Sequence, residues 1–374
     1  MNIIGCRYTG TWLDHSVYGM ANRVFISALY VAGVNLTTQL VVQVNEKSDY
    51  GILEEVAKSC RDRVIDYKIK IIHLTPDMYK KYREVGKYNI GHIFFETDRL
   101  PRTWVENCNK MEELWTASEK QAQMIKKSGV TVPIYWFPQP IDAGIGFENI
   151  TPFEIKFKKD FTFYSVFQWI DRKNPRGIIE SYWRQFEGRD DVCLLIKTYR
   201  ANYSEDEFTK IKHEIEGWRK ELNLKSYPKI YLVKKLLKSD EVYRLHAMGD
   251  CYVSASSGEG WSRPVAEAIL MGKPVISADN GGITDYLTDE EYYKIESEEK
   301  NATQVSWIPW YTSDMKWKVV KNDSLMKAMD RVFMNRQEAE RKARLAKDLL
   351  ARQFNLQTVG AQMKERLETI MRFI

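Results

Sequence analysis

Ser256-Ser257-Gly258-Glu259-Gly260-Trp261-Ser262-Arg263-Pro264-Val265-Ala266-Glu267-Ala268 is the stretch from which the rest of the chain is read. The apolar run Asp250–Ser254 before it has the length of a buried strand, and Gly258 and Gly260 mark a turn. Pro264 suits the first residue of a helix. Strand, glycine-rich turn and helix in this order place backbone N–H groups at the carboxyl end of a sheet, where open α/β sheets bind ligands. Such a helix start favours a phosphate. Glu259 nevertheless precedes the helix, and Glu267 lies in its second turn. A carboxylate beside a phosphate is repelled unless it has another task, such as accepting hydrogen bonds from sugar hydroxyls. Taken alone, two carboxylates eight residues apart are equally well explained by a cap and an exposed glutamate.

Outward from this stretch, short apolar runs alternate with amphipathic segments, the mark of an α/β chain built from βαβ units. Phe161–Phe167, Val192–Lys197, Lys229–Val233, Asp250–Ser254 and Pro274–Ser277 read as parallel strands covered on both faces. Between the second and third, Ser204 and Glu207 form a capping box. Phe208, Ile211, Ile215, Trp218 and Leu222 then make the stripe of a crossover helix. An earlier set of strands is predicted near Asn2–Arg7, Gln39–Val44, Ile69–Leu74, Ile90–Phe95, Glu113–Thr116 and Ile134–Phe137. A helix after the first of these puts Met20, Val24, Ala28 and Val31 on one face, with Gly33 as its C-cap. Pro138–Lys159 lacks a period, so the first domain is expected over 1–150 and the second over 151–354. The last helix, about 355–374, carries Leu356, Val359, Met363, Leu367 and Ile370 on one face and is expected to pack back on the first domain.

A length of 374 residues suits two domains, and 44% hydrophobic with 29% charged residues suits a globular chain. No apolar run is long enough to span a bilayer. Met1-Asn2-Ile3-Ile4 reads as a strand and not as a signal segment, which disfavours secretion. Five scattered cysteines (Cys6, Cys60, Cys108, Cys193 and Cys251) read as small core residues in a reducing, cytoplasmic compartment. The net charge of +5 permits attraction to phosphates or to the inner face of an anionic membrane. Its basic residues are interspersed with acids and form no nucleic-acid-binding motif, which disfavours nucleic acid as a partner. No C-x-x-C, H-E-x-x-H or D-x-D occurs, so a structural zinc and an acidic metal clamp are disfavoured and no metal cofactor is expected.

Gly258-Glu259-Gly260-Trp261, Pro264, Glu267-Ala268, Gly272-Lys273-Pro274-Val275-Ile276 and Gly281-Gly282 together resemble the family 4 retaining glycosyltransferases, whose E-x7-E signature falls on Glu259 and Glu267. The resemblance implies an α/β chain of GT-B fold, two Rossmann-like doubly wound domains facing a central cleft. Ser165 to Pro175 resembles the family's nucleotide-domain loop, with Lys173 at the position of a lysine that meets the donor diphosphate. The arginine usual five residues earlier is Gln168 here, and Arg172 or Arg263 is the candidate to replace its charge. Lys197, at the end of the next strand, is a weaker candidate, and Gly260, Trp261 and Ser262 complete the donor loop. In the first domain, Tyr18-Gly19-Met20 resembles a glycine loop opening the first helix, with His15 beside it. Phe95-Glu96-Thr97-Asp98 resembles a branch that carries Glu-Thr where many relatives have histidine. Glu96 and His15 are therefore candidates for sugar contact. His73, His92, His213 and His246 form no constellation; His92 follows a strand glycine, and the other three read as packing or surface residues.

The resemblance implies transfer of a sugar from a nucleotide-sugar to an acceptor hydroxyl with retention and without a metal. Lys173 would meet the leaving diphosphate, Glu267 the ribose and Glu259 the donor sugar. The acceptor would be a carbohydrate, a lipid-linked group or another hydroxyl compound. An epimerase or phosphorylase of the same architecture is the nearest rival, because fold does not fix function. A DNA-modifying or nucleic-acid-binding protein is the more distant one.

Overall fold

In a computed structural model, which describes residues 4–14, 16–41, 51–141, 150–153, 159–303 and 308–374, the chain divides into two units. The first gathers Met1–Phe95, Arg99–Ile145 and Ala351–Ile374; the second gathers Glu96–Asp98 and Gly146–Leu350. Among the described residues no helix is long and apolar enough to cross a membrane.

Six strands build the first unit: β1 (Gly5–Gly10), β2 (Asn35–Leu40), β3 (Ile69–His73), β4 (Tyr88–His92), β5 (Glu113–Thr116) and β6 (Ile134–Trp136). They pair in parallel in the order β2-β1-β3-β4-β5-β6. Helices α1 (Val17–Val31), α2 (Ile52–Ser59), α3 (Tyr79–Tyr82), α4 (Arg102–Cys108) and α5 (Glu119–Lys127) connect them. The first two strands lie earlier or later than the apolar pattern suggests. β1 runs on to Gly10 because Tyr8 and Thr9 are buried beside β2 and β3. β2 starts at Asn35, with Leu36, Thr37 and Thr38 buried, and the final part of the expected strand, 42–44, lies outside the described residues. α1 starts at Ser16, whose Oγ accepts from the Gly19 N–H at 3.0 Å, and ends before Gly33, whose φ of +77° needs glycine. Val24 and Ala28 are buried as the stripe predicts. Val31 is not; it faces solvent.

The second unit contains β7 (Phe161–Gln168), β8 (Val192–Tyr199), β9 (Lys229–Val233), β10 (Cys251–Ser254), β11 (Val275–Ala278) and β12 (Tyr293–Ile295) in one parallel sheet, ordered β12-β11-β10-β7-β8-β9. A separate antiparallel pair, β13 (Ser297–Asn301) and β14 (Lys316–Val320), was not apparent in the pattern of apolar residues. Helices α6 (Pro175–Gln185), α7 (Glu205–Leu222), α8 (Ser239–Met248), α9 (Arg263–Leu270) and α10 (Asn322–Met334) flank the sheet, and α11 (Arg336–Gln353) runs out of this unit. Only half of the expected capping box forms on α7. Ser204 Oγ accepts from the Glu207 N–H at 3.3 Å, but the Ser204 N–H donates to Asn202 Oδ1 at 2.8 Å and the Glu207 carboxylate takes Lys210 instead.

The final helix α12 (Leu356–Met371) completes the core of the first unit. Its Val359, Met363, Leu367 and Ile370 are fully buried against a cluster that includes Val24, Phe25 and Leu29 of α1. Arg366 pins the helix to β5 by donating to the buried Glu113 carboxylate from Nη2 at 2.5 Å, and Trp115 Nε1 donates to the same carboxylate at 2.7 Å. Losing Arg366 would leave a buried charge with only a neutral donor and Tyr88, whose hydroxyl donates at 2.9 Å.

Candidate functional site

The second sheet starts with β7, builds outward through β8 and β9, and then reverses to add β10, β11 and β12 on the other side. The carboxyl ends of β7 and β10 are thus neighbours at the point where the winding direction changes, which is where doubly wound sheets leave a crevice for ligands. The loop after β7 carries Arg172 and Lys173, and the loop after β10 carries Ser256 to Ser262. Topology alone brings together side chains separated by more than eighty residues.

Backbone bonds fix the two loops to each other. The Ser257 N–H donates to the Arg172 carbonyl at 2.6 Å, and Arg172 Nη1 donates to the Gly258 carbonyl at 2.5 Å. Ser256 Oγ donates to the same two carbonyls, at 3.3 and 3.1 Å, and Asn280 Nδ2 donates to the Ser256 carbonyl. The Lys318 N–H of β14 donates to the Ser257 carbonyl at 2.9 Å, so the antiparallel pair buttresses the loop from behind. Gly258 and Gly281 are required by space. A Cβ on Gly258 would lie 2.0 Å from the Glu96 carbonyl oxygen. One on Gly281, whose φ is +65°, would lie 1.7 Å from the Glu259 carbonyl oxygen.

Lys173 and Glu259 form a hydrogen-bonded ion pair, and Arg172 Nη1 lies 3.7 Å from the same Glu259 oxygen. Burial pushes the Glu259 carboxyl up, but Lys173 and Arg172 outweigh it and hold the group below the usual carboxylate range. Burial also lowers the Lys173 ammonium, against the pull of Glu259. The pair borders a small hollow lined also by Phe167, Tyr252, Ser262 and Pro264.

Glu96 joins this group. Its carboxylate lies 3.6 Å from Arg172 Nη2 and accepts from the Tyr311 hydroxyl at 2.8 Å. Asp98 holds the same strap in place, with its N–H on the Lys316 carbonyl at 2.9 Å and its Oδ1 accepting the Lys316 N–H at 2.6 Å. Tyr311 gave no signal in the sequence, because it lies outside the regular elements, between β13 and β14.

On α9, Arg263 Nε donates to Glu267 Oε1 at 2.8 Å, one helical turn apart. Burial raises the Glu267 carboxyl, but Arg263 and then His246 more than compensate and keep it low. Both arginines offered as substitutes for the residue at Gln168 are therefore already ion-paired, Arg172 with Glu96 and Glu259, Arg263 with Glu267. Gln168 itself ends β7 and donates from Nε2 to the Arg200 carbonyl at 3.0 Å. Ser262 starts α9 in the left-handed region at φ +67° without capping it through its side chain. Trp261 is buried, its ring 4.5 Å from that of Tyr286.

Lys197 sits apart, on β8. Its Nζ donates to the Tyr203 hydroxyl at 3.0 Å and lies over the stacked rings of Tyr199 and Tyr203, and burial lowers its pKa to about 8. Gly19 belongs to the first unit, its N–H on Ser16, and Asp14 Oδ1 occupies the place of a Cβ at 2.2 Å. His15 lies outside the described residues. Among the described residues no group of three or more His, Cys, Asp or Glu side chains is placed to hold a metal ion. The five cysteines are buried and unpaired with one another.

A family model described as glycosyl transferases group 1 matches residues 147–307, which include Lys173, Glu259 and Glu267. This match replaces the family 4 assignment; a spacing of two carboxylates across a loop and a helical turn does not by itself separate such families. A protein of Sulfolobus islandicus filamentous virus (isolate Iceland/Hveragerdi), provisionally named glycosyltransferase 41, is 23% identical over 230 residues. The match takes in 56% of this chain and spans 61% of that relative's length. Among solved structures, Anabaena Alr3699/HepE in complex with UDP and glucose superposes with a TM-score of 0.68 at 12% identity, covering 98% of this chain and 100% of that one. Sucrose-phosphate synthase (tll1590) from Thermosynechococcus elongatus gives 0.69 at 12% identity, with 99% of both chains covered. A glycosyltransferase from Rickettsia africae ESF-5 gives 0.66 at 13% identity over the whole of both chains. These likenesses show the fold. It is an α/β GT-B fold with two Rossmann-like domains.

Proposed function

We propose that the chain is a glycosyltransferase that moves a sugar from a nucleotide-sugar donor to an acceptor hydroxyl with retention of configuration, using no bound metal. The observation that carries this reading is the joining of Lys173 and Glu259 at the switch point of the second sheet, with Glu259 in the loop that leads directly into the helix holding the Arg263–Glu267 pair. Family resemblance to glycosyl transferases group 1 over the same stretch supports it.

Cleaving the bond from sugar to diphosphate builds negative charge on the leaving oxygen and positive charge on the sugar carbon. A buried cation already in place meets the first of these without reorganisation, an arrangement worth far more in a poorly hydrated site than in water. Lys173 fills that role, and its present bond to Glu259 is exchanged for one to the diphosphate. Glu259, released from Lys173, accepts from donor-sugar hydroxyls and stabilises the positive centre. Glu267 accepts from the ribose hydroxyls. The acceptor hydroxyl attacks from the face the diphosphate leaves, and the departing phosphate oxygen takes its proton.

The test is transfer from a panel of UDP-, GDP- and ADP-sugars to simple acceptors, with the anomeric configuration of the product read by NMR and the assay repeated in EDTA. Retained configuration and a rate unaffected by EDTA are expected. Inverted product would overturn the stereochemical part, and activity lost in EDTA and restored by manganese would overturn the metal-free clamp.

A further inference from the structure

His246 is fully buried on α8 and takes no part in the chemistry above. Two groups flank its ring. The Tyr164 hydroxyl, from β7, lies 2.9 Å from Nδ1, and Glu267 Oε2, from α9, lies 3.7 Å from Nε2. Tyr164 is itself fully buried, and burial, first among several causes, raises its phenol well above the ordinary range, so it keeps its proton. The tautomer in which Nδ1 accepts from this phenol puts the ring proton on Nε2, facing the Glu267 carboxylate, and is the one that a carboxylate on that side favours. Nε2 is within hydrogen-bond distance of no partner among the described residues. Glu267 Oε1 is meanwhile held by Arg263 Nε at 2.8 Å.

We propose that His246, backed by Tyr164, is a positioning residue that orients the Glu267 carboxylate to read the ribose hydroxyls of the nucleotide donor. The inference rests on the reading that Glu267 accepts from those hydroxyls. One carboxylate oxygen is anchored by Arg263. The other faces an N–H whose own direction is set by a phenol from the central strand of the sheet. Each oxygen keeps a lone-pair direction for a ligand hydroxyl. A buried N–H with no other partner costs stability, and a carboxylate whose plane must match two vicinal hydroxyls gains from it.

Calorimetry on the full chain first selects the tightest binder among UDP, GDP and ADP; no binding by any of them overturns both readings. The selected nucleotide is then compared with its 2′,3′-dideoxy counterpart. Wild type should favour the ribonucleotide by about 10–100-fold, the loss expected when hydrogen bonds to a charged acceptor disappear. Glu267→Gln should bring that ratio close to one. His246→Phe should lower it at least about threefold while leaving the dideoxynucleotide's affinity within about twofold, a split that a general packing fault would not produce. Tyr164→Phe, which frees the tautomer, should move the ratio the same way by less. His246→Gln keeps an N–H in reach and should restore most of the wild-type ratio; it also serves if the phenylalanine variant does not fold. A ratio that falls in Glu267→Gln but is unchanged in His246→Phe overturns the role of His246. A ratio unchanged in Glu267→Gln overturns the ribose role of Glu267, and the proposal for His246 falls with it.

Discussion

Replacing His92 by phenylalanine should make the stability of the protein less sensitive to acid, by an amount that follows from the first unit's core. His73 and His92 end the neighbouring strands β3 and β4, and their rings stack at 4.1 Å, both fully buried. Tyr8 hydroxyl lies 2.6 Å from His73 Nδ1, whereas both nitrogens of His92 are without a hydrogen-bond partner among the described residues. Phe25, Phe94 and Trp115 surround His92 edge-on. Burial lowers its pKa from 6.5 to about 3. The native ring therefore stays neutral in a range where the unfolded chain takes up a proton. Stability is fully present above pH 6.5 and is lost as pH falls toward the native value, at about 1.4 kcal/mol per pH unit. At pH 5 His92 alone should cost about 2 kcal/mol, a sizeable share of a typical 5–15 kcal/mol. Burial pushes His73 down as well, with His92 adding to the effect. Phenylalanine retains a ring among three aromatic neighbours and forfeits no hydrogen bond. Any misfit of its size shifts both conditions alike, so the decisive quantity is the difference between pH 7.5 and pH 5 in urea unfolding of variant and wild type. That difference should be smaller in the variant by about 2 kcal/mol. An identical difference in the two proteins would mean that native His92 protonates as freely as unfolded histidine, and the account of a dry pair would fail.

Lys173→Ala should slow single-turnover transfer at saturating donor on the order of 10²–10³-fold, because its charge is needed most as the diphosphate leaves. An unchanged saturated rate with only weaker donor binding would remove it from the leaving-group role. Gln168→Arg, at the end of β7, should change that rate by less than about threefold, because Arg172 already brings a cation to the site; a large rise would show a clamp lacking one cation. Gly281→Ala should cost at least about 2 kcal/mol and weaken nucleotide binding, because its Cβ meets the Glu259 carbonyl, whereas Gly33→Ala, also at positive φ but with only the Lys364 Nζ at an ordinary contact distance of 3.9 Å, should cost about 1 kcal/mol. Equal costs in urea unfolding would refute the steric argument. Lys197→Met should stabilise the fold by up to about 3 kcal/mol at pH 7, since a lysine lowered from 10.5 to about 8 is penalised while protonated. The gain should fade between pH 8 and 10.5; a gain independent of pH would place the native titration elsewhere.

Much of this architecture was legible because parallel strands buried on both faces are written as apolar runs. Glu113–Thr116 and Lys229–Val233 fall where the runs do. The pattern slips where buried backbone carries polar side chains: Thr37 and Thr38 of β2 and Thr9 of β1 are buried but do not look so in sequence. β13 is almost wholly exposed and reads Ser-Glu-Glu-Lys-Asn, so only pairing with β14 makes it a strand. In the site, Lys173, Glu259 and Glu267 were singled out by resemblance to a glycosyltransferase family, since two carboxylates eight residues apart say little on their own. What spacing could not convey was their partners, which come from distant segments: Glu96 and Tyr311 on Arg172, and His246 on Glu267. For His246 a cue existed, since Tyr243 and His246 stand three apart on the buried side of α8.

The return of Ala351–Ile374 to the first unit sets an order for assembly during translation. The second unit's long segment, Gly146–Leu350, is complete before the ribosome has made α12. The first sheet, although synthesised earlier, waits for Val359, Met363, Leu367 and Ile370 to cover α1. Until then Val24, Phe25 and Leu29 have no lid, and a nascent chain paused before Leu356 carries an exposed apolar face. Of the two units, the one whose strands are made first is the one whose core closes last.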